Sequence, residues 1–298
     1  MVKKLSQLYL EARKAISAHE DKQTAGLLAR HLLAHVTGKT NEQLLADLEL
    51  YGSQTVCEEM EQAVNRVVSG EPLAYVLGEW DFYGMTLQVN KNVLIPRDDT
   101  CAVTDLAIKY ALYLNETPRI LDLCTGSGCI GLAIGSRIKD ARITLADISK
   151  EALAVAKKNV TLQKMSGRIS CVSADALKKA PALLGKFDMI VSNPPYITTD
   201  EMLALDTSVK DFEPHLALHG GDDGLEFYRS IAKNYKDALK PEGYLCFEFG
   251  MDQGNAVCEI LEMNGYTILE RSRDYNDRER AVIAQRKDDS YGYKENNV

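Results

Sequence analysis

Leu121 to Gly135 reads LDLCTGSGCIGLAIG, and this stretch decides the fold. An apolar run ends in Cys124-Thr125-Gly126-Ser127-Gly128, and small apolar residues follow. Gly126, Gly128 and Gly131 fit the G-x-G-x-x-G spacing between a strand and a helix. There the glycines serve a tight turn, a close backbone approach to a ligand and close packing of helix on strand. Asp147 stands 19 residues beyond Gly128, at the end of the next strand-like run, where an acid can take both hydroxyls of a ribose. A dinucleotide such as NAD and S-adenosylmethionine (SAM) both satisfy that geometry, and the loop does not choose between them. The competing reading is a tight turn that binds nothing.

Working outward, the chain alternates strand and helix patterns from about Thr100. The strands are RILDL (119–123), RITLAD (142–147), RISCVS (168–173), FDMIVS (187–192), YLCFEF (244–249), YTILER (266–271) and RAVIAQ (280–285). Helical segments separate most of them, which predicts a doubly wound seven-stranded α/β sheet of Rossmann-like type. The last two strands are joined by about eight residues, too few for a parallel crossover, so the final pair is expected to be antiparallel.

Before this region the texture differs. Leu5, Leu8, Tyr9, Ala12 and Ile16 recur at helical spacing, as do Val56, Met60, Ala63, Val64 and Val67. Gly38 reads as a helix stop and Thr40 to Gln43 as a capping box. The expected organisation is a helical bundle over 1–75 and a β-hairpin linker over 76–98, turning at Asn90-Lys91-Asn92. The sheet domain would span 99–286, with a polar, disordered tail over 287–298.

The 298 residues carry a net charge of −8, which argues against a broad nucleic-acid footprint. No apolar run approaches the roughly 20 residues of a membrane helix. The N-terminus lacks the apolar region of a secretory signal. The seven cysteines, with no CxxC pair, read as reduced thiols of a cytoplasmic protein. His31 and His35 share a helix face but lack a third ligand, so no metal site is expected.

A second stretch, IVSNPPYITTD (190–200), ends a buried strand with Asn193-Pro194-Pro195-Tyr196. Prolines cannot continue a ladder. They can hold a loop stiff, so that the Asn193 side-chain oxygen and the Pro194 carbonyl form a fixed pair of acceptors for a planar –NH2 group. Tyr196 offers a flat face beside them. Such a pair suits methylation of a weak nitrogen nucleophile, where catalysis is mainly orientation and no strong base is needed. A dehydrogenase has no use for it. This motif, the antiparallel finish and Asp175, placed after the third strand to accept from an adenine amino group, favour SAM over NAD. The bland alternative is a turn that merely ends a strand.

These motifs together resemble the HemK-type family, the protein-(glutamine-N5) methyltransferases that act on class I peptide chain release factors. The resemblance runs from about Gly70 to Gln285. It is most specific in GEPLAYVLGEWDFYGMTLQVNKNVLIPRDDT, LDLCTGSGCIGLA, VSNPPYI and SRDYNDRERAVIA. Asn-Pro-Pro-Tyr alone is shared with methyltransferases of DNA adenine and rRNA guanine, and the block before the glycine loop separates the family from them. The resemblance implies methyl transfer from SAM to the side-chain amide of the Gln in a Gly-Gly-Gln tripeptide. It implies SAM contacts at Cys124, Thr125, Gly126, Ser127, Gly128, Asp147, Asp175, Ala176 and Asn193. Asn193, Pro194, Pro195 and Tyr196 would hold the substrate amide, with Asn193 and Pro194 catalytic. The alternatives are methylation of an exocyclic amine in DNA or RNA, and a binding module that uses SAM only as a structural ligand.

Three positions depart from the family pattern. Cys124 stands where the family usually has Gly, and its Cβ is tolerable only at negative φ. Cys101 replaces an acid, and Ala176 offers no ring to stack on adenine. Arg97 falls near the site without an assigned role. Glu213, Asp222 and Asp223 read as surface, while His215 and His219 either line the substrate channel or lie on a solvated loop.

Overall fold

The computed structural model describes residues 2–114 and 116–287. The tail over 288–298 lies outside the described residues. The chain forms two compact units: residues 1–79 with 206–212, and residues 80–205 with 213 onward.

The first unit is helical. Helices α1 (Leu5–Ile16), α2 (Lys22–Thr37), α3 (Asn41–Asp47), α4 (Gln54–Val68) and α5 (Leu73–Leu77) follow in order. Their ends are chemically explicit. Asp21 accepts from the N–H groups of Gln23 and Thr24 to cap α2, and Gly38, at φ 63°, stops it. The Thr40–Gln43 capping box is present, and Ser53 caps α4. Leu5, Leu8, Ile16, Leu32, Leu33 and Met60 form the core of this unit.

A hairpin follows, β1 (Glu79–Phe82) and β2 (Met85–Gln88). It turns at Tyr83-Gly84, not at Asn90–Asn92. Both central residues have positive φ, 52° and 76°. That is the turn whose twist matches a two-residue hairpin, and it favours glycine at the second place. Asn90 does form a turn, accepting from Val93 N at 3.0 Å, but no strand follows it. Phe82, Met85 and Leu87 are buried in the core of the second unit. Asn159 fastens the hairpin edge: its side chain pairs with the backbone N–H and C=O of Gln88 and also donates to Ser127 O at 2.9 Å.

The remaining elements are α6 (Cys101–Ala111), β3 (Arg119–Leu123), α7 (Cys129–Arg137), β4 (Arg142–Asp147), α8 (Lys150–Leu162), β5 (Ile169–Ser173), β6 (Phe187–Ser192), α9 (Thr199–Ala204), α10 (Thr207–Lys210), α11 (Glu226–Asn234), β7 (Leu239–Glu248), α12 (Gly254–Met263), β8 (Tyr266–Arg273) and β9 (Glu279–Arg286). The sheet order is β5-β4-β3-β6-β7-β9-β8. The β5, β4, β3, β6 and β7 neighbours pair in parallel, and β9 runs antiparallel to both β7 and β8. This is the expected doubly wound seven-stranded sheet with an antiparallel last strand. Strand β7 begins at Leu239, earlier than Tyr244, because a register irregularity absorbs Pro241, Glu242 and Gly243.

Both faces of the sheet are covered. Along β3, Ile120 joins one core cluster, and Leu121 and Leu123 join the other. Along β6, Met189 and Val191 face one way and Ile190 the other. Alternation with burial on both sides is the mark of a parallel sheet between two helix layers. The order reverses between β3 and β6, so the crevice at their carboxyl ends is a topological switch point. Among the described residues no helix is long and apolar enough to cross a membrane.

Candidate active site

The glycine loop leaves the carboxyl end of β3. Thr125 N donates to Ala146 O at 3.0 Å, and Gly128 N closes the turn on Thr125 O at 2.8 Å. Gly126 and Gly128 lie at φ 54° and 86°. Gly131 has no space for a side chain: a Cβ would meet Leu145 and stand 3.0 Å from Asp122 Oδ2. Each glycine therefore meets one of the three demands of the motif. Cys124 corrects the condition set by the sequence. Its φ is +60°, the left-handed region, although it is not glycine. Burial pushes its thiol well above the usual range, with the Asp147 charge adding to the effect, so it stays protonated.

Asp147 ends β4. Its two carboxylate oxygens accept from Gly126 N and Ser149 N, each at 2.9 Å. Burial raises its pKa while these N–H groups oppose the rise. The carboxylate is thus fixed over the loop with lone pairs to spare for hydroxyls. Asp175 follows β5. It accepts from Leu177 N at 2.9 Å and pairs with Lys178 at 3.2 Å. Tyr235 and Ser230 donate to the backbone oxygens of Asp175 and Ala176, pinning that turn.

Asn193 follows β6 directly. Ser192 Oγ donates to Leu123 O at 2.6 Å, tying the end of β6 to the end of β3. Beyond the prolines the chain is clamped. Ile197 N donates to Leu218 O at 2.9 Å, Gly220 N to Ile197 O at 2.8 Å, and Gln253 Nε2 to Tyr196 O at 3.0 Å. Asn193 Nδ2 donates to Thr100 Oγ1 at 3.4 Å.

These ends surround one cleft of about 1030 Å³, its open mouth included. Cys124, Thr125, Gly126 and Ser127 line it, together with Asp147, Asp175, Ala176, Asn193 and Pro195. Gly128, Pro194 and Tyr196 are not part of its lining. The Tyr196 ring instead packs on the core that holds Tyr228 and Phe247, next to Gly250. His215 and His219 also stand outside the lining, while Pro214, Leu216 and Ala217 between and beside them contribute to it. His219 Nε2 sits 3.0 Å from Thr199 Oγ1.

Several residues of the cleft were not legible in sequence. Phe227 on α11 supplies an aromatic wall, and Val93, Leu94 and Pro96 supply an apolar one. Asp122 is fully buried beneath the loop, accepting from Gly131 N at 2.9 Å and Thr125 Oγ1 at 2.6 Å. Burial pushes it up to about 7 against those bonds. Glu213 is not a surface acid. It is 4% exposed, accepts from Ile95 N at 3.3 Å and pairs with Arg97, which lines the cleft. The strand order and the loop-and-edge cleft define the methyltransferase class of doubly wound fold.

Residues 104–220 match the methyltransferase small domain, and residues 7–78 match the PrmC N-terminal domain. The chain is similar to the release factor glutamine methyltransferase of Clostridium acetobutylicum. They are 37% identical over 255 residues, which cover 86% of this chain and 89% of that protein. It is equally similar to the bifunctional methyltransferase of Rickettsia typhi, at 37% identity over 86% of this chain, and spans 52% of that longer protein. Among solved structures it is similar in fold to a methyltransferase from Pyrococcus furiosus. The TM-score is 0.50 at 15% identity, covering 76% of this chain and 100% of the other. The chain belongs to the release factor glutamine methyltransferase family.

Proposed function

We propose that this protein transfers a methyl group from SAM to the side-chain amide nitrogen of the Gln in the Gly-Gly-Gln motif of class I release factors, in the cytoplasm. One observation supports this reading above the rest: Asn193, with a stiff proline pair behind it, shares a cleft with the glycine loop and Asp147. The residues present fit the cofactor. Gly126 has open space where a Cβ would stand, leaving room for close approach. When bound, SAM supplies an electrophilic sulfonium methyl.

In this reading Cys124 to Gly128 lie along the cofactor. Asp147 accepts from its ribose hydroxyls, and Asp175 and Ala176 lie by the adenine. The Asn193 side-chain oxygen and the Pro194 carbonyl hold the two hydrogens of the glutamine –NH2, turning the nitrogen lone pair toward the methyl group. The apolar lining that Leu94, Pro96 and Leu216 contribute to the cleft suits a glycine-rich loop, which needs shape more than charge. The helical unit serves recognition of the release-factor body.

The test is a labelled-methyl transfer assay from SAM with a purified unmodified release factor, DNA and RNA as separate acceptors. Label on the factor alone is the expected result. Label on nucleic acid alone would overturn it.

A further inference from the structure

Glu248 is the last residue of β7 and is 2% exposed. Its Oε2 has no hydrogen-bond partner among the described residues. An orphaned buried carboxylate oxygen is costly and rare enough to need a reason. The register supplies one. Ser192 on β6 pairs with Phe247 on β7, so the next residues along the two strands, Asn193 and Glu248, lie side by side. The side chains of Thr100 and Asn193 stand close enough to the Glu248 carboxylate to favour its charged form. Asn193 Nδ2 also donates to Thr100 Oγ1 at 3.4 Å.

A carboxamide has a donor end and an acceptor end of nearly the same shape. What lies behind it decides which end faces the cleft. An ionised carboxylate only accepts. It attracts the –NH2 end of Asn193 and repels the oxygen end. We propose that Glu248, together with Thr100, is a positioning residue that holds the Asn193 carboxamide with Nδ2 inward and Oδ1 toward the substrate –NH2 group.

This inference rests on the amide-methylation reading and adds to it. It explains how one end of Asn193 is selected before substrate arrives. Glu248 itself touches neither substrate nor cofactor in this arrangement. Its own surroundings are dense. Arg280 of β9 faces it, itself paired with Asp99 at 3.1 Å and Asp274 at 3.3 Å. Tyr228 of α11 donates to its backbone oxygen at 3.0 Å. Tyr196, Cys101 and Cys129 lie within its electrostatic reach. Burial pushes the carboxyl up to about 7, with the nearby Thr100 hydroxyl and the Arg280 charge opposing. Below that pH the protonated acid can donate, and the selection weakens.

The experiment measures kcat for glutamine methylation, KM for the release factor and the SAM dissociation constant from pH 6 to 9. It compares wild type, Glu248→Gln, Thr100→Val and Thr100→Ser. Glu248→Gln, which keeps the shape but offers both a donor and an acceptor, is expected to lose at least about 10-fold in kcat. Its SAM dissociation constant should stay within about twofold of wild type. The acid limb of the wild-type rate profile near pH 7 should disappear with it. Thr100→Val should lose rate in the same way, and Thr100→Ser should recover most of it. Wild-type kcat and an unchanged acid limb in Glu248→Gln would overturn the inference. If Glu248→Gln does not fold, a Thr100→Val variant as fast as wild type would overturn it instead. A wild-type enzyme that methylates no glutamine would defeat the functional reading, and this inference with it.

Discussion

Gly220 packs against Tyr196 with no space between them: a Cβ on Gly220 would stand 2.6 Å from Tyr196 Cα and 2.7 Å from Pro195 O. The same glycine donates its N–H to Ile197 O at 2.8 Å. The loop after α10 is therefore a backbone clamp on the Asn-Pro-Pro-Tyr segment. Gly220→Ala has to displace that segment. We expect kcat for methyl transfer to fall by about 100-fold, since a misplacement of about an ångström can cost that much. SAM affinity should hold, because the cofactor loop lies on another strand. Steady-state kinetics and a SAM titration separate the two, and equal loss in both would refute the clamp.

Asn193→Ala removes one acceptor and leaves the loop that faces the cofactor intact. Methyl transfer is expected to fall at least about 100-fold with SAM binding retained. Single-turnover assays with a matched calorimetric titration decide it. Undiminished turnover would sink the orientation mechanism.

Cys124 carries strain that the glycine usual at this place in the family would not. At φ +60°, a non-glycine residue costs on the order of 1 kcal/mol. Cys124→Gly is expected to raise stability by about 0.5–1 kcal/mol in thermal unfolding, less the small loss of thiol packing. Destabilisation would show that this packing outweighs the backbone strain.

Two buried carboxyls, Asp122 and Glu248, stand at about 7, with burial the leading cause for each. A carboxyl whose folded pKa lies above its unfolded value binds protons more tightly in the folded state. Its contribution favours the fold at low pH and is lost as pH rises from about 4, the ordinary carboxyl range, to about 7. Asp122→Asn removes the charge and can still accept from Gly131 and Thr125. It is expected to gain more stability over wild type at pH 8 than at pH 5 in urea unfolding. An equal or reversed difference at the two pH values would contradict burial as the cause.

Much of this was readable in the chain. Gly126, Gly128 and Gly131 announced the loop, and the short joint after β8 announced the antiparallel finish. Asn193 announced the polar side chain that lines the cleft at the end of β6. What stayed hidden depends on contacts distant in sequence. The Arg97–Glu213 pair and the Asn159 link to Gln88 join residues that no local pattern connects. The hairpin turn went unread because Tyr83-Gly84 lacks the Asn-Gly signature, while Asn90-Lys91-Asn92 carries turn chemistry without a strand to follow. Tyr196 was expected to face the substrate. Its ring meets the core instead, because the proline pair fixes the backbone direction and Gly250 leaves room for it.

The role proposed for the helical unit has its own check. Removal of residues 1–75 is expected to weaken release-factor binding more than SAM binding, with circular dichroism confirming that the remainder keeps its fold. Equal loss of both would make the unit structural only.

The most direct test is peptide mass spectrometry of a purified, unmodified release factor after incubation with this protein and SAM. A single added methyl on the Gln of Gly-Gly-Gln is the expected result. An unmodified Gly-Gly-Gln peptide, with methyl transferred to a DNA or RNA control, would contradict the proposed substrate and make the nucleic-acid amine the acceptor.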